Sequence, residues 1–211
     1  MDKDRFKKCV TSQEELKLLV GSPSEKAKKK VMDCLDHHCR QFIEKSPFLV
    51  MATSDENGRC DSSPRGDAPG FVHVIDDYHL VIPERPGNKR VDSLLNILSN
   101  PHIGLLFVIP GLEETLRVNG QAVITEDEQI LNEMQVNGKA PILGTIVKVD
   151  ECFIHCAKAF KRSKLWDSKT WLDQAERPNP AKMLHAHVNL PGLSEEKIAA
   201  ELQESYRNRL Y

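Results

Sequence analysis

No run of apolar residues in these 211 positions approaches the about 18 that a membrane-spanning helix needs. The opening Met1-Asp2-Lys3-Asp4-Arg5-Phe6-Lys7-Lys8 also lacks the apolar core of a secretory leader. The expectation is a cytoplasmic protein with no membrane partner. An excess of charge of one sign is missing too: 29 Lys and Arg stand against 31 Asp and Glu, a formal net charge of −2. Proteins that coat nucleic acid or anionic membranes carry a clear basic surplus. Nucleic acid is therefore not an expected partner, and any bound anion must be held by local groups. Cysteine is sparse, with six residues at 9, 34, 39, 60, 152 and 156. That scatter does not suit the disulfide framework of a small secreted domain, so the thiols are expected to be reduced. Internal repeats, low-complexity linkers and the Walker and dinucleotide-binding glycine spacings are absent as well. What is present, 40% hydrophobic and 28% charged residues, is the composition of a folded globular chain with one sizeable core.

Helical signals fill the first 45 residues. Ser12 with Glu15 has capping-box spacing, and Ser22-Pro23-Ser24-Glu25 reads as a cap, a proline in the first helical position and an acid in the third. The second helix is expected to continue through Val31, Leu35, His38, Phe42 and Ile43, at spacings of three and four. Lys26, Lys28, Lys29 and Lys30 read as a solvated run at its start. From Ser46 the pattern turns to β. Residues 48–53 form a strand, Asp55-Glu56-Asn57-Gly58 a hairpin turn, and 71–75 and 78–82 two strands about Asp76-Asp77, with 103–109 and 115–125 following. A short helix over 91–99 stops at Asn100-Pro101, 126–136 reads as helix, and 142–153 as the last long strand. Pro178, Pro180 and Pro191 separate that strand from an amphipathic helix over 194–210. The expected organisation is N-terminal helices over 1–45, a β domain over 46–170 and a C-terminal extension over 171–211.

Three polar stretches stand out against this frame. Ser62-Ser63-Pro64-Arg65-Gly66-Asp67-Ala68-Pro69-Gly70 reads as a loop interrupting a hairpin, rich in backbone donors and hydroxyls with one Arg. Ile82-Pro83-Glu84-Arg85-Pro86-Gly87-Asn88-Lys89-Arg90 runs into a helix start at Asp92-Ser93, where free amides with Lys89 and Arg90 suit a phosphate. Residues 153–166 carry Lys158, Lys161, Arg162 and Lys164 with no acid, and Trp166 offers a face to a planar ligand or to the core. Taken singly, each is also accounted for as an ordinary turn or a solvated face. Two clusters of metal-ligating types occur, Cys34-His37-His38-Cys39 and Cys152-His155-Cys156, but neither has the spacing of a zinc ribbon or finger. Cys156 beside His155 on a strand would face the other way, so no Cys-His nucleophile is assigned and no metal is expected.

In their order and spacing several segments together resemble a known family. They are Ser46-Pro47-Phe48 to Asp55, Ser63-Pro64-Arg65-Gly66-Asp67-Ala68-Pro69-Gly70, Pro83-Glu84-Arg85-Pro86-Gly87-Asn88-Lys89-Arg90-Val91-Asp92-Ser93, Asn96-Ile97-Leu98-Ser99-Asn100-Pro101, Leu116-Arg117-Val118-Asn119-Gly120, His155-Cys156-Ala157-Lys158-Ala159 and Arg162-Ser163-Lys164-Leu165-Trp166. Over residues 12–170 the chain is similar to the pyridoxamine 5′-phosphate oxidase-like flavoproteins, in particular a bacterial branch of FMN-dependent members. The resemblance implies a fold that is mainly β with flanking helices, an FMN-binding split β-barrel of six antiparallel strands in Greek-key order. It implies a homodimer with FMN in the cleft between subunits. It implies that Arg65, with Ser63 beside it, and Asn88, Lys89 and Arg90 hold the FMN phosphate. It further implies that Thr115 and Arg117 approach the flavin from the partner chain, and that the segment with Lys158, Arg162, Ser163 and Trp166 closes over the site.

In such proteins the flavin ring supplies the redox chemistry, so no side chain is named catalytic. The oxidase proper carries an Arg-x-x-x-Leu-Lys-type motif where this chain has Ser63-Pro64-Arg65-Gly66-Asp67, and a C-terminal Arg/His substrate motif that is missing here. Pyridoxamine 5′-phosphate is therefore not the expected substrate. The expected activity is FMN-dependent oxidoreduction of a small molecule that the sequence does not name. The alternative is a non-catalytic flavin- or haem-binding sensor on the same barrel, with His155 and His185 as the haem candidates. An interaction protein without a ligand would leave the cationic loops merely solvated.

Overall fold

The hairpin turn at residues 55–58 sets the start of the sheet. In the computed structural model, which describes Arg5 and residues 8–211, Gly58 takes a left-handed φ of 76°. The Asp55 carboxylate accepts the amides of Asn57 and Arg59, and the chain reverses from β1 (Phe48–Ser54) into β2 (Cys60–Gly66). The stretch from Ser62 to Gly66, expected as loop, is thus a strand paired residue by residue with β1: Thr53 opposite Asp61, Met51 opposite Ser63, Leu49 opposite Arg65. An edge position explains why Pro64 is tolerated there, since that strand has a neighbour on one side only.

The remaining strands are β3 (His73–Val74), β4 (His79–Pro83), β5 (His102–Val108), β6 (Thr115–Thr125) and β7 (Gly144–His155). They form one antiparallel sheet in the order β2-β1-β5-β6-β7-β4-β3. The sheet has seven strands rather than six, and its end strands β2 and β3 each pair on one side, so the hydrogen-bonded ladder does not close. The strand expected over 71–75 shrinks to β3, because Phe71 and Val72 turn into the core instead of joining a ladder. Alternate residues of the central strands make one buried face. Leu49 and Met51 meet Leu105 and Phe107, Leu116 and Val118, Val147 and Val149, and Leu80 and Ile82. Each fully buried side chain of this size contributes about 1.5–3 kcal/mol.

Helices α1 (Gln13–Val20) and α2 (Glu25–Lys29) bury no residue. Ser12 caps α1 as expected by accepting the Glu15 amide, but Ser24 rather than Ser22 caps α2, and Pro23 precedes the cap. The long helix expected through Ile43 is broken. Met32 forms a β-bridge with Cys152, the Leu35 amide donates to the Asp77 carbonyl, and Asp36 then caps a new helix, α3 (His37–Lys45). Leu35, Cys39 and Ile43 still reach the core, whereas Val31 is exposed. Leu94 and Ile97 of α4 (Asp92–Ser99) are also buried, and α4 packs on β1, β2 and β6.

The helix expected over 126–136 contracts to α5 (Glu128–Asn132), whose Leu131 joins Met134 against Val81. After α6 (Lys158–Ser163) the chain forms α7 (Pro180–Val188), which the proline spacing did not suggest. Asn179 caps it, and Pro180 sits in the first turn, where a missing N–H breaks no helical bond. It packs on α8 (Glu195–Asn208), capped by Ser194 close to the expected start. Among the described residues no helix is long and apolar enough to cross a membrane.

A register shift between Asn119 and Gly120 bends β6 against β7, and a Cβ at Gly120 would collide with the Lys148 carbonyl. Backbone cannot swing aside as a side chain can. Gly120→Ala is therefore expected to lower unfolding stability in urea by about 1–3 kcal/mol. An unchanged midpoint would show that the bulge relaxes freely.

Candidate functional site

Strand alternation puts Asp61, Ser63 and Arg65 of β2 on the side where β1 presents Thr53, Met51 and Leu49, the face that builds the core. A polar row facing inward is costly unless each member finds a partner. The partners come from the 84–93 segment. Asp61 accepts from the Ser63 hydroxyl at 2.8 Å and from the Ser93 hydroxyl. Burial pushes the Asp61 carboxyl up, but the two hydroxyls and the Arg65 charge outweigh it and hold the group below its ordinary value. Arg65 lies 3.3 Å through Nε from Glu84 and donates through Nη1 to the Pro64 carbonyl at 3.0 Å. The Glu84 approach lacks hydrogen-bond alignment, and Arg65 Nε is buried without a hydrogen-bond partner.

The loop after β4 is fixed from below. Arg85 donates to Asp67 at 2.7 Å and to the Met134 carbonyl at 3.0 Å. The Tyr211 hydroxyl donates to the other Asp67 oxygen at 2.7 Å, and its ring lies 5.8 Å from the Arg85 guanidinium. Burial pushes the Asp67 carboxyl up, yet the Tyr211 hydroxyl, the Ala68 amide and Arg85 together hold it below its ordinary value. Beyond Arg85 the backbone is strained: Lys89 and Val91 have φ of 62° and 51°, and a β-branched residue rarely adopts that region. Val91 stands at the N-cap of α4 without a capping side chain, so the first amides of that helix lack the usual acceptor.

Between β2, this loop and the start of α4 lies a cleft of about 370 Å³, lined by Ser63, Arg65, Asn88, Arg90 and Ser93 among others. Four of the residues singled out in the sequence therefore converge here. Arg65 is largely buried, whereas Arg90 is exposed and bound to Asp92 at 2.8 Å. Lys89 lines a neighbouring cavity of about 420 Å³ instead, with Lys139, Ile142 and Tyr211. The supporting roles of Glu84, Asp67, Arg85 and Tyr211 leave no local trace in the sequence. Their signal lies in pairings across the fold, although the alternation of Asp61, Ser63 and Arg65 was available in the sequence.

The other sequence candidates lie elsewhere. Thr115 is buried opposite His155, and Arg117 stands opposite Phe153, its guanidinium 5.2 Å from that ring. The cationic run meets an acid in space, since Lys161 pairs with Glu113 at 2.6 Å. Trp166 donates to the Leu112 carbonyl at 2.9 Å and packs 5.7 Å from Phe160, so it pins α6 to the β5–β6 connection. Lys158 and Arg162 are exposed, and the Ser163 hydroxyl donates to the Phe160 carbonyl. The two cysteine clusters meet at Cys39 and Cys152, buried thiols with sulfurs 3.3 Å apart. The Cys39 contact and burial push the Cys152 thiol far up. Among the described residues no group of three His, Cys, Asp or Glu is placed to hold a metal.

The family model described as pyridoxamine 5′-phosphate oxidase matches residues 35–156. HupZ of Group A Streptococcus is 20% identical, with 56% of this chain and 92% of that one covered and a TM-score of 0.48. A putative pyridoxamine 5′-phosphate oxidase from Lactobacillus delbrueckii is 19% identical over 58% of this chain and 95% of that one, with a TM-score of 0.47. The heme storage protein HutZ of Vibrio cholerae is 18% identical over 57% and 94%, with a TM-score of 0.38. Likenesses this distant carry no argument about what this chain binds. No curated protein matches the sequence.

Asp67 and Arg85 provide a direct check on the base of the loop. The Asp67 side chain is 2% exposed, so Arg85→Ala strands a buried carboxylate and is expected to cost about 3 kcal/mol in chemical denaturation. The depressed Asp67 contributes stability that is complete above the ordinary carboxylate range and fades as pH falls through its lowered folded value. With Arg85 gone, burial is opposed less and the folded value rises toward the ordinary one, so the variant loses less stability on acidification, its loss ends at higher pH, and the gap between the two proteins narrows as pH falls. Superimposable stability-versus-pH curves would refute the pairing.

Proposed function

The chain belongs to the pyridoxamine 5′-phosphate oxidase family, and from that premise we propose that it is an FMN-binding flavoprotein, an FMN-dependent oxidoreductase acting on a small molecule. The observation that carries the reading is the largely buried Arg65 guanidinium, ion-paired with Glu84 through an Nε that makes no hydrogen bond, in a cleft at the uncapped start of α4. A phosphate supplies hydrogen-bond acceptors that this donor set lacks. A guanidinium and helix-start amides are well matched to an oxyanion, and Ser63, Asn88 and Arg90 line the same cleft. The donor set therefore fits the phosphate end of FMN.

Bound flavin would supply the hydride or electron transfer. The chain's own residues supply position. Arg65 and the α4 amides hold the anion, Ser93 and Ser63 keep the Asp61 carboxylate occupied, and Glu84 balances the Arg65 charge. Arg90 offers a guanidinium at the rim whose Nη1 is not engaged by Asp92. Lys89 is assigned to the rim as well, on the neighbouring cavity.

Thr115, Arg117, Lys158, Arg162, Ser163 and Trp166 line no part of this cleft; following the family resemblance, they are assigned to the cleft of a second copy. The outward face of the sheet offers a surface for such a homodimer. Phe48, Val50 and Ala52 of β1 and Gly104 and Leu106 of β5 are apolar there and only partly covered. An apolar outward face asks for a cover. In this reading a pair of chains completes the split barrel and each cleft.

A haem-binding reading would use His155 or His185. His185 is exposed on α7, and His155 lies beside Lys30 and Arg117, outside the cleft that holds Arg65.

Purified protein is expected to show flavin absorption bands and to release FMN identifiable by mass. In fluorescence titrations Arg65→Gln should weaken FMN binding about 10- to 100-fold, the loss of hydrogen bonds to a charged group. Arg90→Ala should weaken it less, because that side chain is 73% exposed. Colourless protein that ignores added FMN would sink the reading, and a Soret band would replace it with the haem alternative.

A further inference from the structure

A second unsatisfied cluster lies on the outward face of β6 and β7, away from the cleft. Arg117 is partly buried, and its guanidinium stacks on Phe153 without a hydrogen bond or ion pair to any described residue. Lys30, which follows α2, donates to the Ile154 carbonyl at 2.6 Å and lies 4.9 Å from the same ring. His155 packs on Phe153 with centroids 5.1 Å apart, and its Nε2, like Arg65 Nε, is buried without a hydrogen-bond partner among the described residues. The register shift in β7 leaves two acids, Asp150 and Glu151, between the core-facing Val149 and Cys152; Glu151 already accepts from Asn119 at 2.6 Å, and neither forms an ion pair with these cations. Two cations and an imidazole thus crowd one aromatic ring while no carboxylate answers them. A ring face is a weak partner for a cation beside a charged oxygen acceptor.

We propose that Lys30, Arg117 and His155 form a binding site, built around Phe153, for a dianionic oxyanion, the phosphate group of a small phosphorylated molecule. The guanidinium presents a planar fork, Lys30 keeps donors beyond the one given to Ile154, and His155 completes the set as a protonated donor. Because β6 is assigned above to the partner's flavin, the anion is read as the substrate's. That last step rests on the flavin reading, whereas the anion site does not.

Binding should move a proton. Burial, with Arg117 and Lys30 beside it, holds the His155 imidazole below its ordinary value, which favours the neutral ring. A bound dianion offsets both cations and favours the imidazolium, so its affinity rises as pH falls.

Sulfate serves as the probe, since it remains dianionic between pH 5 and 8 where phosphate itself titrates. The His155 imidazole is followed by two-dimensional NMR on the full chain, its signal among the eight histidines assigned by its loss in His155→Gln. In saturating sulfate its titration midpoint is expected to rise by about one pH unit over that in chloride of equal ionic strength. Arg117→Gln or Lys30→Gln should abolish or reduce the rise, and Arg65→Gln should leave it intact. Equal midpoints in the two salts, or a rise that persists in both Arg117→Gln and Lys30→Gln, would overturn the proposal. A sulfate effect in protein that ignores FMN would keep the site and discard only the flavin reading.

Discussion

Arg65 faces the core side of an edge strand, and much of the surrounding structure follows from that single placement. A guanidinium cannot lie there unsupported, so Glu84 is drawn to it from the loop after β4. Asp61, two rungs along on the same face, likewise requires Ser63 and the Ser93 hydroxyl at the start of α4. These contacts tie the edge of the sheet to the loop and to the helix. They also leave a concave space whose inner wall is polar, where a sheet edge would ordinarily be sealed with apolar side chains.

The charge balance of the chain takes on a local meaning in this light. Near the cleft, Arg65, Arg85 and Arg90 are matched by Glu84, Asp67 and Asp92. The site therefore does not depend on a broad positive field to attract its ligand. It depends on donors whose geometry is incompletely used: the Arg65 Nε, the uncapped amides of α4 and the free edge of Arg90. The Arg117 cluster differs in having no acid paired with it among the described residues, which makes the two unsatisfied regions chemically distinct.

Local signals in the sequence fix the Asp55 to Gly58 turn, the Ser12 cap, the start of α8 at Ser194 and the long strands, because each depends on neighbours within a few positions. The cap of α2 falls on Ser24 rather than Ser22, a slip inside one motif, whereas the larger errors arise where distant residues decide. The helix expected through Val31 breaks because Met32 bridges Cys152, a contact with no local trace. Polar composition and Pro64 disguise β2 as a loop, although its period-two alternation was readable once an inward polar row is allowed. At the site, Ser63, Arg65, Asn88 and Arg90 were legible as donors. Their balancing acids and the support from Tyr211 were not, since Tyr211 meets Asp67 across 144 positions of chain.

If Arg65 and the start of α4 seat a phosphate, affinity should depend on that group more than on the ring system it carries. Comparing FMN with riboflavin by fluorescence titration against the same apoprotein isolates this dependence. FMN is expected to bind roughly a hundredfold more tightly, the worth of charge-assisted hydrogen bonds to one phosphate. Equal affinity for the two flavins would contradict the account.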